Sequence, residues 1–265
     1  MIFAKKSLGQ NFLHDTGALH DIALAGNISA GDTVLEIGPG EGALTSELLK
    51  SAKKVVVVEK DDRLIPILEK KFANEMKDGK FILIHGDILE KNPSELGLKR
   101  GEYKVIANIP YYITGEVTRM FLESEHYPST VVFLVQKEVA ERMVDEKESI
   151  LSISVKVYGS PKYIRTVKAG SFKPSPSVDS AVIGIYNISK RIFEDNKINE
   201  ESFFDIVKTG FSHKRKKLIS NLAEFYDKDE LEKVWTSLNL DINTRAETVK
   251  LEIWLKIASI LSKII

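Results

Sequence analysis

The chain contains no cysteine. Disulfides, thiolate zinc sites and thiol nucleophiles are therefore excluded. Two reactions on nucleic-acid bases go with them: pyrimidine-ring methylation through a cysteine adduct and deamination at a cysteine-ligated zinc. Histidine is scarce as well. His14, His20, His85, His126 and His213 stand at no metal-ligand spacing, so no metal is expected. No apolar run is long enough to span a membrane, and Met1–Lys6 lacks the apolar core of a signal peptide, so a cytoplasmic location is expected. Nor does one sign of charge prevail, since 38 basic and 38 acidic side chains leave a formal net charge of zero. Any affinity for a polyanion must come from local clusters. His213-Lys214-Arg215-Lys216-Lys217 is one, followed by Leu218 and Leu222 at helical spacing. Read alone, it serves equally well as a solvated helix end.

What remains is an ordinary globular composition of 265 residues, 43% hydrophobic and 29% charged, enough for one large domain and a small one. Alternating strand and helix signals over the first 140 or so residues predict an α/β domain with a parallel sheet. The strands are expected at Thr33–Gly38, Val55–Glu59, Phe81–His85, Lys104–Asn108 and Val131–Gln136. Amphipathic stretches lie at Ala43–Lys50, Asp61–Met76, Gly115–Glu123 and Glu138–Val144. Tyr163–Val167 and Ala181–Tyr186 add two strands rich in β-branched residues. Residues Ile150–Val157 fit strand or helix. Beyond Asn187 only helices are expected: Glu200–Phe211, Lys214–Glu224, Lys228–Ser237 and Thr248–Ser262. The expected domains are residues 1–190 and an all-helical 191–265. Trp254, Leu255, Ile257, Ile260 and Leu261 read as core rather than interface.

Two stretches carry chemistry. The first is Asn108-Ile109-Pro110-Tyr111, at the end of a buried strand. An Asn side-chain carbonyl and a backbone carbonyl beside Pro110 can converge on one point there. Two acceptors suit adenine's exocyclic amine, whose lone pair is delocalised into the ring and must be freed before it can attack. Tyr111 then offers an aromatic face to a base turned out of its stack. As an isolated tetrapeptide, the stretch is equally a strand ending in a Pro turn with a core Tyr.

The second is Glu36-Ile37-Gly38-Pro39-Gly40-Glu41-Gly42, between a strand and a helix, the setting of a Gly-rich nucleotide loop. Glu59 closes the next strand about 20 residues on, where an acid can hold ribose hydroxyls. A dinucleotide's pyrophosphate wants free N–H groups and no carboxylates. Here Pro39 removes an N–H, Glu36 and Glu41 flank the loop, and Asp87 ends the third strand. Such a cluster favours a ligand bearing a sulfonium and an ammonium, which is S-adenosylmethionine. Gly38 and Gly40 would permit close backbone approach, Glu59 would take the ribose and Asp87 the cofactor's adenine amine.

Further segments stand in a telling order: Lys6–Leu13, the Glu36–Gly42 loop, Gly86-Asp87, Asn108–Tyr111, Val135–Arg142, Phe172–Ser180 and Phe211–Leu218. Together they resemble the small-subunit ribosomal RNA adenine dimethyltransferases over nearly the whole chain. The resemblance implies a Rossmann-like S-adenosylmethionine-dependent methyltransferase fold with a mostly parallel seven-stranded sheet and a small helical domain lying on rRNA. It implies that two adjacent adenosines near the 3′ end of small-subunit rRNA each receive two methyl groups. Asn11 and Leu13 would close over the cofactor, with Gly38, Glu59, Asp87 and Asn108 beneath. Asn108, Pro110, Tyr111 and Phe172 would form the catalytic site, Phe172 facing Tyr111 across the base. Lys214, Arg215, Lys216 and Lys217 would meet RNA. The expected partner is rRNA in a pre-ribosomal particle, the protein working as a monomer away from membranes. Two departures from the family pattern stand out: Ile109 where Leu is usual, and Glu148-Ser149-Ile150-Leu151-Ser152 where a Tyr-Gly-Arg-Leu-Ser segment is usual. Three alternatives share parts of this pattern: a large-subunit rRNA methyltransferase of the drug-resistance type, a non-catalytic ribosome-assembly protein, and a nicotinamide dehydrogenase.

Overall fold

The computed structural model describes residues 4–5 and 8–263. Met1–Phe3, Ile264-Ile265 and the Lys6-Ser7 start of the N-terminal segment lie outside the described residues. The strands in chain order are β1 (Phe12–Leu13), β2 (Thr33–Ile37), β3 (Lys54–Glu59), β4 (Phe81–His85), β5 (Tyr103–Asn108), β6 (Thr130–Gln136), β7 (Ser160–Val167), β8 (Phe172–Lys173) and β9 (Ser180–Tyr186). Seven of them form one sheet in the order β4-β3-β2-β5-β6-β9-β7. Pairings from β4 through β6 are parallel, and β9 runs antiparallel to both its neighbours, which gives the mostly parallel seven-stranded sheet that the resemblance implies. β1 and β8 form a separate two-stranded pair.

The sequence produces this sheet because its inner strands are apolar on both faces. Val34, Val55, Val57, Ile106, Val132 and Val182 pack in one cluster with Ala18, Leu19, Leu44, Leu48 and Leu68 from the helices α1 (Thr16–Ala25), α2 (Ala43–Ser51) and α3 (Ile65–Lys71). The alternate residues Leu35, Val56, Val58, Val105 and Phe133 are buried too. Asp15 caps α1 by accepting the Ala18 N–H at 3.0 Å.

The stretch Asp61–Met76 is not one helix. Asp61–Leu64 forms a turn, α3 starts beside Pro66, and the chain breaks at Phe72 before α4 (Ala73–Lys77). Phe72 leaves helical geometry to turn inward against Phe81, with ring centroids 4.9 Å apart. The helices α5 (Thr114–Glu123) and α6 (Lys137–Val144) fall where expected.

The chain forms two compact units, Met1–Glu141 with Gly159–Ile188, and Arg142–Tyr158 with Ser189–Ile265. The second unit therefore takes in a stretch from the middle of the chain. There the ambiguous segment is a helix, α7 (Ile150–Lys156), started by a capping box: Ser149 Oγ accepts the Ser152 N–H and Ser152 Oγ accepts the Ser149 N–H. Glu148, where the chain departs from the family pattern, is buried and accepts from Ser152 at 2.7 Å and Lys156 at 2.9 Å.

The rest of that unit is α8 (Arg191–Asn196), α9 (Glu200–Gly210), α10 (Leu218–Leu222), α11 (Lys228–Ser237) and α12 (Leu251–Leu261). The helix expected over Lys214–Glu224 is thus much shorter. Its cationic first half would sit on the positive end of a helix dipole. It forms a turn instead, held by Asn221 Nδ2 donating to the carbonyls of Gly210 at 2.6 Å and His213 at 3.2 Å. Trp254, Ile257 and Leu261 on α12 are fully buried, as a core face should be.

Ile106→Ala empties a fully buried site at the centre of the sheet. It should destabilise the protein by about 2–5 kcal/mol in chemical denaturation; a loss below about 1 kcal/mol would mean that the two layers do not interlock there.

Candidate active site

Strand order reverses at β2, which pairs with β3 on one edge and β5 on the other. Crossovers leave these neighbours in opposite directions, and a crevice opens beyond their carboxyl ends. A cavity lies at that point. It is lined by Glu36–Glu41, Glu59, Lys60, Gly86–Leu89, Asn108–Ile113 and the N-terminal segment from Leu8 to His14. Of the residues expected at the site, Asn11, Leu13, Gly38, Gly40, Glu59, Asp87, Asn108, Pro110 and Tyr111 all lie in this lining.

The loop after β2 follows from its glycines. Gly38 has φ of +61°, and among the described residues no atom lies within 4 Å of where a side chain would begin. Its backbone is open to a ligand. Gly40, at φ +58°, would place a Cβ 2.9 Å from the Phe12 ring, so only hydrogen fits under the N-terminal segment.

At the end of β5, Asn108 Nδ2 donates to the Asn11 carbonyl at 3.3 Å, and Asn11 Nδ2 donates to the Gly9 carbonyl at 3.2 Å. With its N–H group engaged there, the Asn108 amide presents its oxygen as an acceptor. The Pro110 carbonyl receives the Ile113 N–H at 3.2 Å, which leaves one of its two lone pairs. Tyr111 follows in a 3₁₀ turn; its hydroxyl lies 2.5 Å from Ser180 Oγ, and burial pushes its pKa above the usual phenol value.

Phe172 is placed differently from the rest. It is 5% exposed, pairs with Leu13 across the β1–β8 ladder and belongs to the core cluster rather than to the cavity wall. Lys214, Arg215, Lys216 and Lys217 are exposed in the turn before α10, in the second compact unit, where Lys216 lies 3.3 Å from Glu224.

The three acids do not act as three free charges. Glu36 is 1% exposed, and burial, with repulsion from Glu59, pushes its carboxyl up to about 8 against the pull of Thr45 and Lys71. Its Oε2 has no hydrogen-bond partner among the described residues. Burial also raises Glu59, whose carboxylate accepts the Asp61 N–H at 2.6 Å. Burial works against ionisation of Asp87 too, but Lys60 at 2.5 Å and the Leu89 N–H outweigh it and hold the carboxyl below its usual range. At neutral pH the protein's own groups therefore leave Glu36 protonated and Asp87 matched by a lysine. A cation beside Glu36 would supply the missing partner and favour its carboxylate. The orphaned oxygen, the open Gly38 backbone and Glu59 fit a cationic nucleoside donor such as S-adenosylmethionine.

Sequence reasoning missed what holds the N-terminal segment over this cavity. Asp61, fully buried, accepts from Gln10 Nε2 at 2.9 Å, Lys5 Nζ at 3.4 Å and Arg63 Nη2 at 2.6 Å. Those bonds, chiefly the one from Arg63, drive its pKa far down. Its position two residues after Glu59, past the same strand end, was the available signal. Lys60 and Tyr112 in the lining were missed as well. Among the described residues, no group of His, Asp or Glu is arranged to hold a metal ion, and no helix is long and apolar enough to cross a membrane.

The family model for ribosomal RNA adenine dimethylase matches residues 2–263. A ribosomal RNA small subunit methyltransferase A from Dehalococcoides mccartyi is 41% identical over 258 residues, covering 96% of this chain and 87% of that one. One from Fusobacterium nucleatum is 37% identical over 265 residues, 97% of each chain. Among solved structures, a dimethyladenosine transferase from Plasmodium falciparum superposes with a TM-score of 0.80 at 26% identity, covering 95% of this chain and 98% of that one. The 23S rRNA methyltransferase ErmE superposes at 0.75 with 24% identity, covering 95% and 100%, a likeness of fold alone.

Glu36 makes both stability and ligand binding depend on pH. Its carboxyl titrates at 4.5 in an unfolded chain and at about 8 in the folded one. The stability it contributes is complete below the unfolded value and is lost as pH rises through the folded one, by at most about 1.4 kcal/mol per pH unit. Glu36→Gln should flatten that slope in thermal melts. Affinity for S-adenosylmethionine, measured by calorimetry, should increase through the same pH range in the parent and not in the variant. Identical pH profiles for the two proteins would contradict the assignment.

Proposed function

The chain belongs to the ribosomal RNA adenine dimethylase family, and from that membership we propose how its residues methylate two adjacent adenosines in the 3′-terminal hairpin of small-subunit rRNA. It is an S-adenosylmethionine-dependent adenine dimethyltransferase. The observation that carries the residue-level reading is the Asn108 amide, whose N–H group is engaged by the Asn11 carbonyl at 3.3 Å. Its oxygen and a carbonyl of the Pro110 region receive the two hydrogens of the adenine amine. Accepting both draws the nitrogen towards a tetrahedral shape and returns its lone pair for attack. Tyr111 gives the extruded base a face to stack on, at a cost of unstacking that such enzymes meet within the pocket.

S-adenosylmethionine supplies an electrophilic methyl group on a sulfonium. Glu59 holds its ribose, Glu36 faces its positive charge, and Asp87 accepts from its adenine amine beside Lys60. Leu13 and Asn11, strapped down through Gln10 and Asp61, exclude water from above. Positioning of this kind can lower a barrier by about 7–11 kcal/mol, so neither a strong base nor a metal is required. The proton lost by the amine passes to water.

Lys214, Arg215, Lys216 and Lys217 bind rRNA phosphates, and the protein acts as a monomer on a pre-ribosomal particle in the cytoplasm. Their exposure, in a chain with no net charge as a whole, supports a local electrostatic footprint.

The direct test is mass spectrometry of undermethylated small and large subunits after incubation with protein and S-adenosylmethionine. Dimethyladenosine should appear in the small subunit alone. Asn108→Ala should abolish transfer while calorimetry still detects cofactor binding; full activity in that variant would refute the role. Exchanging Lys214, Arg215, Lys216 and Lys217 for Gln should weaken binding to small subunits and lower the salt slope by about one for each phosphate no longer neutralised. An unchanged slope would remove the cluster from the interface.

A further inference from the structure

Tyr111 stands on a short 3₁₀ turn, Tyr111–Ile113. The ring is fixed from elsewhere. Its hydroxyl lies 2.5 Å from Oγ of Ser180, a fully buried residue 69 positions further along the chain. Ser180 opens β9 and is laddered on both sides, to Gln136 of β6 and Val167 of β7. A residue paired on both flanks cannot shift without breaking two ladders. Its neighbour Asp179 adds to this: its carboxylate accepts the Ala169 N–H at 3.0 Å and Lys168 Nζ at 2.8 Å, and its carbonyl accepts the Lys137 N–H at 3.0 Å. The group that grips Tyr111 is therefore held by a ladder on each side.

We propose that Ser180 is a positioning residue for methyl transfer, locking the Tyr111 ring in the plane on which the target base stacks. The inference rests on the adenine methylation reading above. Two consequences separate it from simple packing. The Tyr111 hydroxyl is held against Ser180, so the ring face is left to meet the base. The ring meets a single base of the rRNA substrate, so a tilted ring costs alignment for transfer more than affinity for cofactor or subunit.

Single-turnover methylation of undermethylated small subunits tests this with Ser180→Ala, Tyr111→Phe and the double variant. Each single variant removes the same bond from one end. Each should reduce the transfer rate about ten- to hundredfold, as misplacement of a reacting group does. The double variant should be no slower than either single one, and calorimetric affinity for S-adenosylmethionine and the KM for subunits should match the parent. Parent-like rates in Ser180→Ala, or losses that multiply in the double variant, would overturn the proposal. So would a loss confined to KM. Should Ser180→Ala fail to fold, Tyr111→Phe alone decides: an unchanged rate refutes the lock and a loss at unaltered KM supports it. An inactive parent protein would instead overturn the methylation reading, and this inference with it.

Discussion

A parallel sheet can turn its crossovers outward in both directions from only one place, and everything at this site follows from where that place falls. Between β2 and β5 no helix can cover the strand ends. The carboxyl ends of β2, β3 and β5, with the loops after β2 and β4, bring Glu36, Gly38, Glu59, Asp87 and Asn108 to one cavity although they span more than a quarter of the chain. Each is fixed by a hydrogen-bonded strand immediately before it. Side chains at strand ends are held more firmly than those on free loops, which suits chemistry that relies on alignment.

The same crevice is built to delay its own charge. Burial costs a carboxylate several kilocalories unless something compensates it. Glu36 meets that cost by holding a proton, Asp87 by pairing with Lys60, and Asp61 by gathering three side chains around itself. The last two are satisfied by the protein's own cations and amides. Glu36 keeps an oxygen with no partner among the described residues, which makes it a point where a bound cation would change the local electrostatics.

Much of the fold was legible because its inner strands repeat β-branched residues without interruption. β2 to β6 end within one residue of where the sequence places them. β7 begins three residues earlier than expected, because an edge strand carries exposed Ser160 and Lys162 and a bulge near Tyr163, which blur the alternation. Helix α1 went unread, as did the break at Phe72: one is defined by an Asp15 cap, the other by an aromatic pairing with Phe81 of the next strand. The cationic run at Lys214–Lys217 has helical spacing, but repulsion at a helix start overrides spacing. At the site, residue types at strand ends were readable. Their partners were not, since Gln10 to Asp61 and Tyr111 to Ser180 are meetings that only the folded chain creates.

The bond from Asn108 to the Asn11 carbonyl has a bearing on which base can react. An amide free to rotate could present either end, and would accommodate a hydrogen-bond donor or an acceptor alike. Anchored through one of its two N–H bonds, Asn108 is oriented to meet the base with its oxygen. A guanine or inosine in the same pocket carries a carbonyl where adenine carries its amine, so lone pair would face lone pair across a dry gap. Discrimination between purines is then set by a main-chain oxygen of the N-terminal segment, at one remove from the base itself.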